Sequence, residues 1–166
     1  MLGKMCFANG LFDAAELCLL FDVVLIVSTI YYLNTEDHID PSQGRFYNSQ
    51  IVSASIGLPA GALLKYLYTH RQAVVFGFLF AFCATLSYCY TTFVEFMDFL
   101  SVRQQAEFGT VSIPNPFWFW TFQVLNFIVM IIVAINHGQL ASFAFARAQR
   151  EAADLRAMGG GVGDVL

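Results

Sequence analysis

Apolar residues run along this chain in four stretches that are each long enough to form a membrane-crossing helix. A span needs about 20 consecutive apolar residues to cross roughly 30 Å of hydrocarbon. The sequence predicts helices over about 11–33, 49–68, 73–100 and 117–145, the last continuing as a tail helix to 158. We therefore predict an all-α polytopic membrane protein: one domain over 1–158, four transmembrane helices in an antiparallel bundle, and a flexible tail over 159–166.

The basic residues predict the orientation of this bundle, because Lys and Arg favour the inner side of short loops. If the four helices cross the membrane in alternating directions, Arg45 and Arg103 fall on one side and the other six basic residues on the opposite side. Both termini are therefore expected on the inner side, where the C-terminal helix leaves the membrane. The six basic residues on that side are Lys4, Lys65, Arg71, Arg147, Arg150 and Arg156.

Small residues recur every four positions in the second predicted helix, at Ser53, Gly57 and Gly61. Helices in lipid associate through close backbone approach, which small side chains allow. This stripe predicts a helix-packing face. Pro59 lies within the same helix, removes one backbone donor and crowds the carbonyl of Ser55, so a kink is expected there.

Charged residues within the apolar stretches predict contacts between helices. Lys65 falls one further step along the small-residue stripe and is expected either to pair with Glu16 of the first helix or to reach the headgroups. Asp22 lies deep inside the first apolar stretch. Three interpretations of Asp22 stay open: pairing with a cation or polar group of a neighbouring helix or another protein, a protonated hydrogen-bonded acid, or a carrier of protons or ions.

A polar stripe follows one face of the third helix toward its outer end. One interpretation is a helix that protrudes from the bilayer and has a solvated end. The alternative is a vestibule that attracts cations. Two amides of the fourth helix are expected to form interhelical hydrogen bonds. The stripe comprises Ser87, Thr91, Glu95 and Asp98, and the two amides are Gln123 and Asn126.

Four aromatic residues begin the fourth helix after two prolines: Phe117, Trp118, Phe119 and Trp120. Aromatic rings at this place are typical of an interfacial belt, where an amphipathic ring lies at headgroup level. Stacking on a nucleotide or a sugar is the alternative. The belt interpretation is preferred.

Composition excludes several classes of protein. Hydrophobic residues make up 58% of the 166 residues, charged residues 12%, and the formal net charge is −4. A soluble fold of this size could not bury so much apolar surface, and nothing indicates a nucleic-acid partner. The sequence also lacks an N-glycosylation acceptor and cysteines in the predicted outer loops.

Catalytic and cofactor motifs are equally lacking, so neither an enzyme nor a metal or other cofactor is predicted, although a structural lipid is compatible with the sequence. The cluster EDHID over 36–40 is interpreted as a solvated acidic loop, with metal binding as the alternative. His137 is placed near the inner end of the fourth apolar stretch, and no pair of histidines at matching depth indicates a haem.

These observations predict a non-catalytic structural or accessory subunit of a larger membrane complex, with other integral-membrane subunits and lipids as its partners. A respiratory-chain or ATP-synthase assembly of the mitochondrial inner membrane is the specific expectation. The plan of four spans also resembles MARVEL-type proteins in topology alone, and a tetraspan scaffold of vesicle or plasma membrane is the first alternative. The second is a small proton or ion pathway that uses Asp22 and Glu95.

Overall fold

The computed structural model describes the backbone of residues 2–35, 41–109 and 116–159, and the side chains of 10–35, 46–109 and 116–157. Over these residues the predicted all-helical fold is confirmed. The helices are α1 (Leu2–Thr35), α2 (Pro41–Tyr66), α3 (Arg71–Glu107) and α4 (Pro116–Gly159). α1 and α2 begin earlier than predicted and α3 ends later, because the helices continue into the polar residues that flank the apolar stretches. The EDHID cluster lies outside the described residues.

The connection between α2 and α3 is a tight turn. The backbone N–H of Leu67 donates to Leu63 O at 3.0 Å, and that of His70 donates to Leu67 O at 3.0 Å. At the other end of α3, Gly109 has a φ of 69° and donates its N–H to Ala106 O at 3.1 Å. Glycine tolerates this left-handed conformation, which ends a helix.

Each helix packs against the next in chain order, and α1 also contacts α4. Two glycines allow close approach at these contacts. A Cβ added at Gly61 of α2 would lie 2.6 Å from Leu19 Cγ of α1, and one at Gly77 of α3 would lie 2.5 Å from Leu64 Cγ of α2. Pro59 is half-buried within α2, which is helical on both sides of it.

The buried apolar residues form two clusters, which contain many alanines. This composition suits helices that approach closely. The inner cluster, toward the chain termini, is Leu11, Ala15, Cys18, Ala60, Leu64, Val74, Ala81, Leu140, Ala141 and Ala144. The outer cluster is Leu25, Phe46, Ala54, Ala84, Tyr88, Met130, Val133 and Ala134.

The helices present a strongly apolar outer surface. α3 and α4 are long and apolar enough to cross a membrane, and only 33% and 11% of their most apolar segments are buried. A core helix of a soluble protein would be mostly buried. Large apolar side chains of several helices are exposed, among them Val27 of α1, Leu86 of α3 and Ile135 of α4 at 61%, 56% and 54%. An apolar surface of this kind suits lipid or protein neighbours.

The C-terminal part of α4 forms a long extension of that helix. α4 has 44 residues, which is about 66 Å at 1.5 Å per residue. Arg147 lies with its guanidinium 4.9 Å from the centre of the Tyr68 ring and its Nε 2.9 Å from Glu151 Oε1. The contact with Tyr68 holds the first part of the extension against the turn between α2 and α3, whereas the ion pair with Glu151 lies within α4.

Candidate functional site

Three helices bring Asp22, Tyr88 and His137 together in the centre of the bundle. The Tyr88 hydroxyl donates to Asp22 Oδ1, and His137 Nε2 lies 3.1 Å from Asp22 Oδ2. All three residues are fully buried. We call these three residues the central triad.

The structure corrects the predicted position of His137. The fourth apolar stretch ends at Asn136, which placed His137 near the inner surface. α4 is continuous to Gly159, in agreement with the predicted helix and its tail, but its packing places His137 level with Asp22 inside the bundle. Asp22 thus has its polar neighbours within its own chain, on α3 and α4.

The hydrogen-bond geometry indicates that the Asp22–His137 pair has a net charge of zero. His137 Nδ1 lies 3.0 Å from Val133 O, a carbonyl that can only accept, so Nδ1 carries a proton. The contact between Nε2 and Oδ2 then holds one further proton, on the imidazole or on the carboxyl group. Either arrangement sums to zero charge, which suits an environment of low dielectric constant.

Gly57 provides the space that the central triad needs. A Cβ added at Gly57 would lie 2.6 Å from His137 Nε2 and 2.9 Å from Asp22 Cγ. The backbone of α2, the helix that contributes no residue to the central triad, therefore lies directly against the Asp22–His137 contact. Cys18, one turn before Asp22 on α1, is also fully buried.

A cluster of hydroxyl groups lies one helical turn from the central triad. Ser53 Oγ of α2 lies 2.7 Å from Ser87 Oγ and 3.0 Å from Thr91 Oγ1 of α3. Ser53 and Thr91 are fully buried. The small-residue stripe therefore has two structural roles. Ser53 belongs to the hydroxyl cluster, and Gly57 and Gly61 allow close contact with α1.

A second polar contact lies between α1 and α2 in the outer half of the bundle. Thr29 Oγ1 donates to Gln50 Oε1 at 3.1 Å, and Gln50 Nε2 lies 3.7 Å from Met130 Sδ. Thr29 and Gln50 are 2% and 4% exposed. Neither residue is among the sequence-predicted site residues.

Glu95 lies inside the bundle, whereas both interpretations of the polar stripe place it at a wet helix end. It is 4% exposed, and its Oε1 accepts a hydrogen bond from Asn126 Nδ2 at 2.8 Å. Its Oε2 is buried without a hydrogen-bond partner in the described part of the chain. Asp98 is half-buried, three residues further along α3.

Lys65 and Glu16 are in contact, with Nζ 2.7 Å from Oε2. Their side chains are 24% and 69% exposed, so the pair is at the surface of the bundle and its contribution to stability is small. The Tyr66 ring lies 6.0 Å from the same ammonium group. The pair connects the inner parts of α1 and α2.

The four aromatic residues at the start of α4 divide into two pairs. Phe117 and Trp118 are 72% and 56% exposed. Phe119 and Trp120 are half-buried, and the Trp120 ring meets the Phe99 ring edge-on at 5.2 Å. Phe117 and Trp118 face the surroundings of the bundle, whereas Trp120 packs against α3.

Sequence reasoning identified Asp22 but missed its two neighbours. Tyr88 looks like one of many aromatic residues in an apolar helix, and His137 is separated from Asp22 by 115 positions. The predicted helix over 117–145 already includes His137, so what the sequence lacked was a local signal for its contact with Asp22 of α1. Among the side chains that the structure describes, no cluster of three or more His, Cys, Asp or Glu residues could hold a metal ion.

Comparisons with protein-family models, with curated proteins and with solved structures give no match to this chain.

Proposed function

We propose that the protein is a four-span integral-membrane protein, an antiparallel bundle with both termini on the inner side, and that it serves as a non-catalytic subunit of a larger membrane complex. The observation that carries the proposal is the contrast between core and perimeter. The buried acids Asp22 and Glu95 have polar partners inside the chain, whereas the perimeter presents large apolar side chains.

This contrast supports a structural role. Because each of these two buried acids has a polar partner within the chain, the apolar outer surface is available to neighbouring helices. The mitochondrial inner membrane, and a respiratory-chain or ATP-synthase complex, remain our specific proposal on the sequence grounds given above. A tetraspan scaffold that binds its own copies is the structural alternative.

Gentle extraction separates these two roles. We expect the tagged chain, extracted from its membrane in a mild detergent, to migrate on native electrophoresis in a band that contains several different polypeptides. Mass spectrometry of that band would identify the complex. A band that contains this chain alone, as monomer or homo-oligomer, would contradict the subunit proposal and favour the scaffold.

A proton pathway is the second candidate function, and the central triad favours it. The hydroxyl cluster of Ser53, Ser87 and Thr91 lies one turn beyond the triad, and Glu95 lies one turn beyond Thr91 on α3. Toward the chain termini, however, the core is the apolar inner cluster. Apolar packing there interrupts a path for protons, so this function ranks second.

Proton flux into liposomes tests this candidate. If the pathway exists, liposomes that contain the protein will acidify faster than empty ones under a pH gradient, as read by an internal pH-sensitive dye. Asp22→Asn is then expected to abolish the difference, because it removes the proton-carrying group at the triad. Asp13→Asn, at an exposed acid of the same helix, is the matched control. Equal flux from both variants would exclude the pathway.

A further inference from the structure

An open-sided groove of about 750 Å³ lies among α1, α2 and α4, in the outer half of the bundle. Small-molecule sites in proteins typically have about 300–1,000 Å³, and sites between the helices of a bundle are common. The side chains that line the groove come from positions 25–32 of α1, 47–50 of α2 and 119–129 of α4. α3 lies behind this groove and contributes no lining residue.

The groove has a neutral lining. None of its lining side chains carries a charge, and its polar groups are hydroxyls and amides. Aromatic rings form part of its walls: the centres of the Tyr32 and Tyr47 rings lie 4.5 Å apart, and Phe119 and Phe122 come from α4. A phosphate or carboxylate head group would find no cation among these side chains, so charged lipids are poor occupants.

Gln50 places an amide with unused donor capacity at the inner wall of the groove. The Gln50 carbonyl oxygen already accepts from Thr29, whereas Gln50 Nε2 has its described contact with Met130 Sδ at 3.7 Å. A thioether sulfur is a weak acceptor. The Gln50 amide therefore has donor capacity left for a ligand oxygen.

We propose that this groove binds a lipid of the isoprenoid-quinone class, with its head group beside Gln50. Such a molecule has a flat, uncharged head with two carbonyl acceptors on an apolar tail, which matches the donor amide, the aromatic walls and the side open to the surroundings. A sterol, whose head is a single hydroxyl, is the competing occupant, and displacement by cholesterol separates the two in the test below. The proposal concerns binding alone and includes no redox step.

Fluorescence quenching tests the proposal on the full chain in phosphatidylcholine nanodiscs. The probe is a benzoquinone with a decyl tail, and the readout is the emission of the two tryptophans, Trp118 and Trp120. Both flank the groove residue Phe119 in sequence. We expect saturable quenching, with Gln50→Leu weakening Kd about tenfold, or 1.4 kcal/mol, through the lost hydrogen bond.

Matched variants serve as controls for the loss of the Gln50 amide and for narrowing of the groove. Gln139→Leu, at an exposed glutamine of α4, is expected to bind as the wild type does. Val129→Phe narrows the groove without touching Gln50 and is expected to weaken binding, whereas Ile135→Phe at an exposed site of α4 is not. Should Gln50→Leu fail to fold, the Val129→Phe and Ile135→Phe pair decides.

Three results would overturn the proposal. Quenching that rises linearly with quinone shows partition into lipid without a site. Wild-type affinity in Val129→Phe places the site elsewhere. Displacement of the quinone by cholesterol identifies a sterol as the preferred occupant. The measurement uses the isolated chain, so its result is independent of whether the protein belongs to a larger complex.

Discussion

Gly57→Ala is expected to destabilise the protein by about 1–3 kcal/mol, the usual cost of overpacking a tight core. The new methyl group would lie 2.6 Å from His137 Nε2 and 2.9 Å from Asp22 Cγ. Either α2 moves away from α1 and α4, or the Asp22–His137 contact separates. The free energy of unfolding, measured by titration with SDS in mixed micelles, reports the change.

Gly138→Ala is the matched control for that prediction. A methyl group at Gly138 would meet its nearest atom outside α4, Thr85 Cγ2, at 3.7 Å, an ordinary contact distance. Alanine also has the higher helix propensity, by about 1 kcal/mol, so this variant is expected to be neutral or slightly more stable. Equal effects at the two positions would show that α2 does not press on the central triad.

His137→Leu is expected to destabilise the protein by about 3–5 kcal/mol, the range found when one partner of a buried pair is removed. The variant leaves the Asp22 carboxyl group buried with Tyr88 as its remaining partner in the triad. The double variant Asp22→Asn/His137→Leu removes the acid as well and keeps an acceptor for the Tyr88 hydroxyl. It is expected to be more stable than His137→Leu alone.

The same SDS titration checks this second prediction, with His70→Leu as the control. His70 is an exposed residue at the turn between α2 and α3, so its replacement should have little effect. A cost for His137→Leu no larger than that for His70→Leu would contradict the inferred role of the triad. A double variant less stable than His137→Leu would show that the acid stabilises the bundle even without the imidazole.

The helical class was accessible from the sequence because hydrophobic patterning is a local property. Four apolar stretches and a short turn near His70 are sufficient to predict four helices in that order. The helix ends were less accessible. The predicted helix over 117–145 includes His137, but the end of the apolar stretch at Asn136 suggested a position near the inner surface, whereas packing of the helices buries His137 in the core.

The central triad could be predicted only in part, because its members are joined by packing and not by spacing. Asp22 is conspicuous, since an acid in an apolar helix requires a partner. Tyr88 is one of seven tyrosines, and nothing local distinguishes it from the exposed Tyr90 two positions later. Rotation of α3 about its axis decides which tyrosine points inward, and that rotation depends on the whole bundle.

The unbroken length of α4 has a practical consequence for imaging. Because one helix continues from the apolar segment to Gly159 and is held near Tyr68 by Arg147, a rigid helical fusion joined in phase after residue 157 would turn as one body with the bundle. Such a fusion would give so small a particle a visible marker in electron micrographs. The angle between marker and detergent belt would then report the tilt of α4 directly.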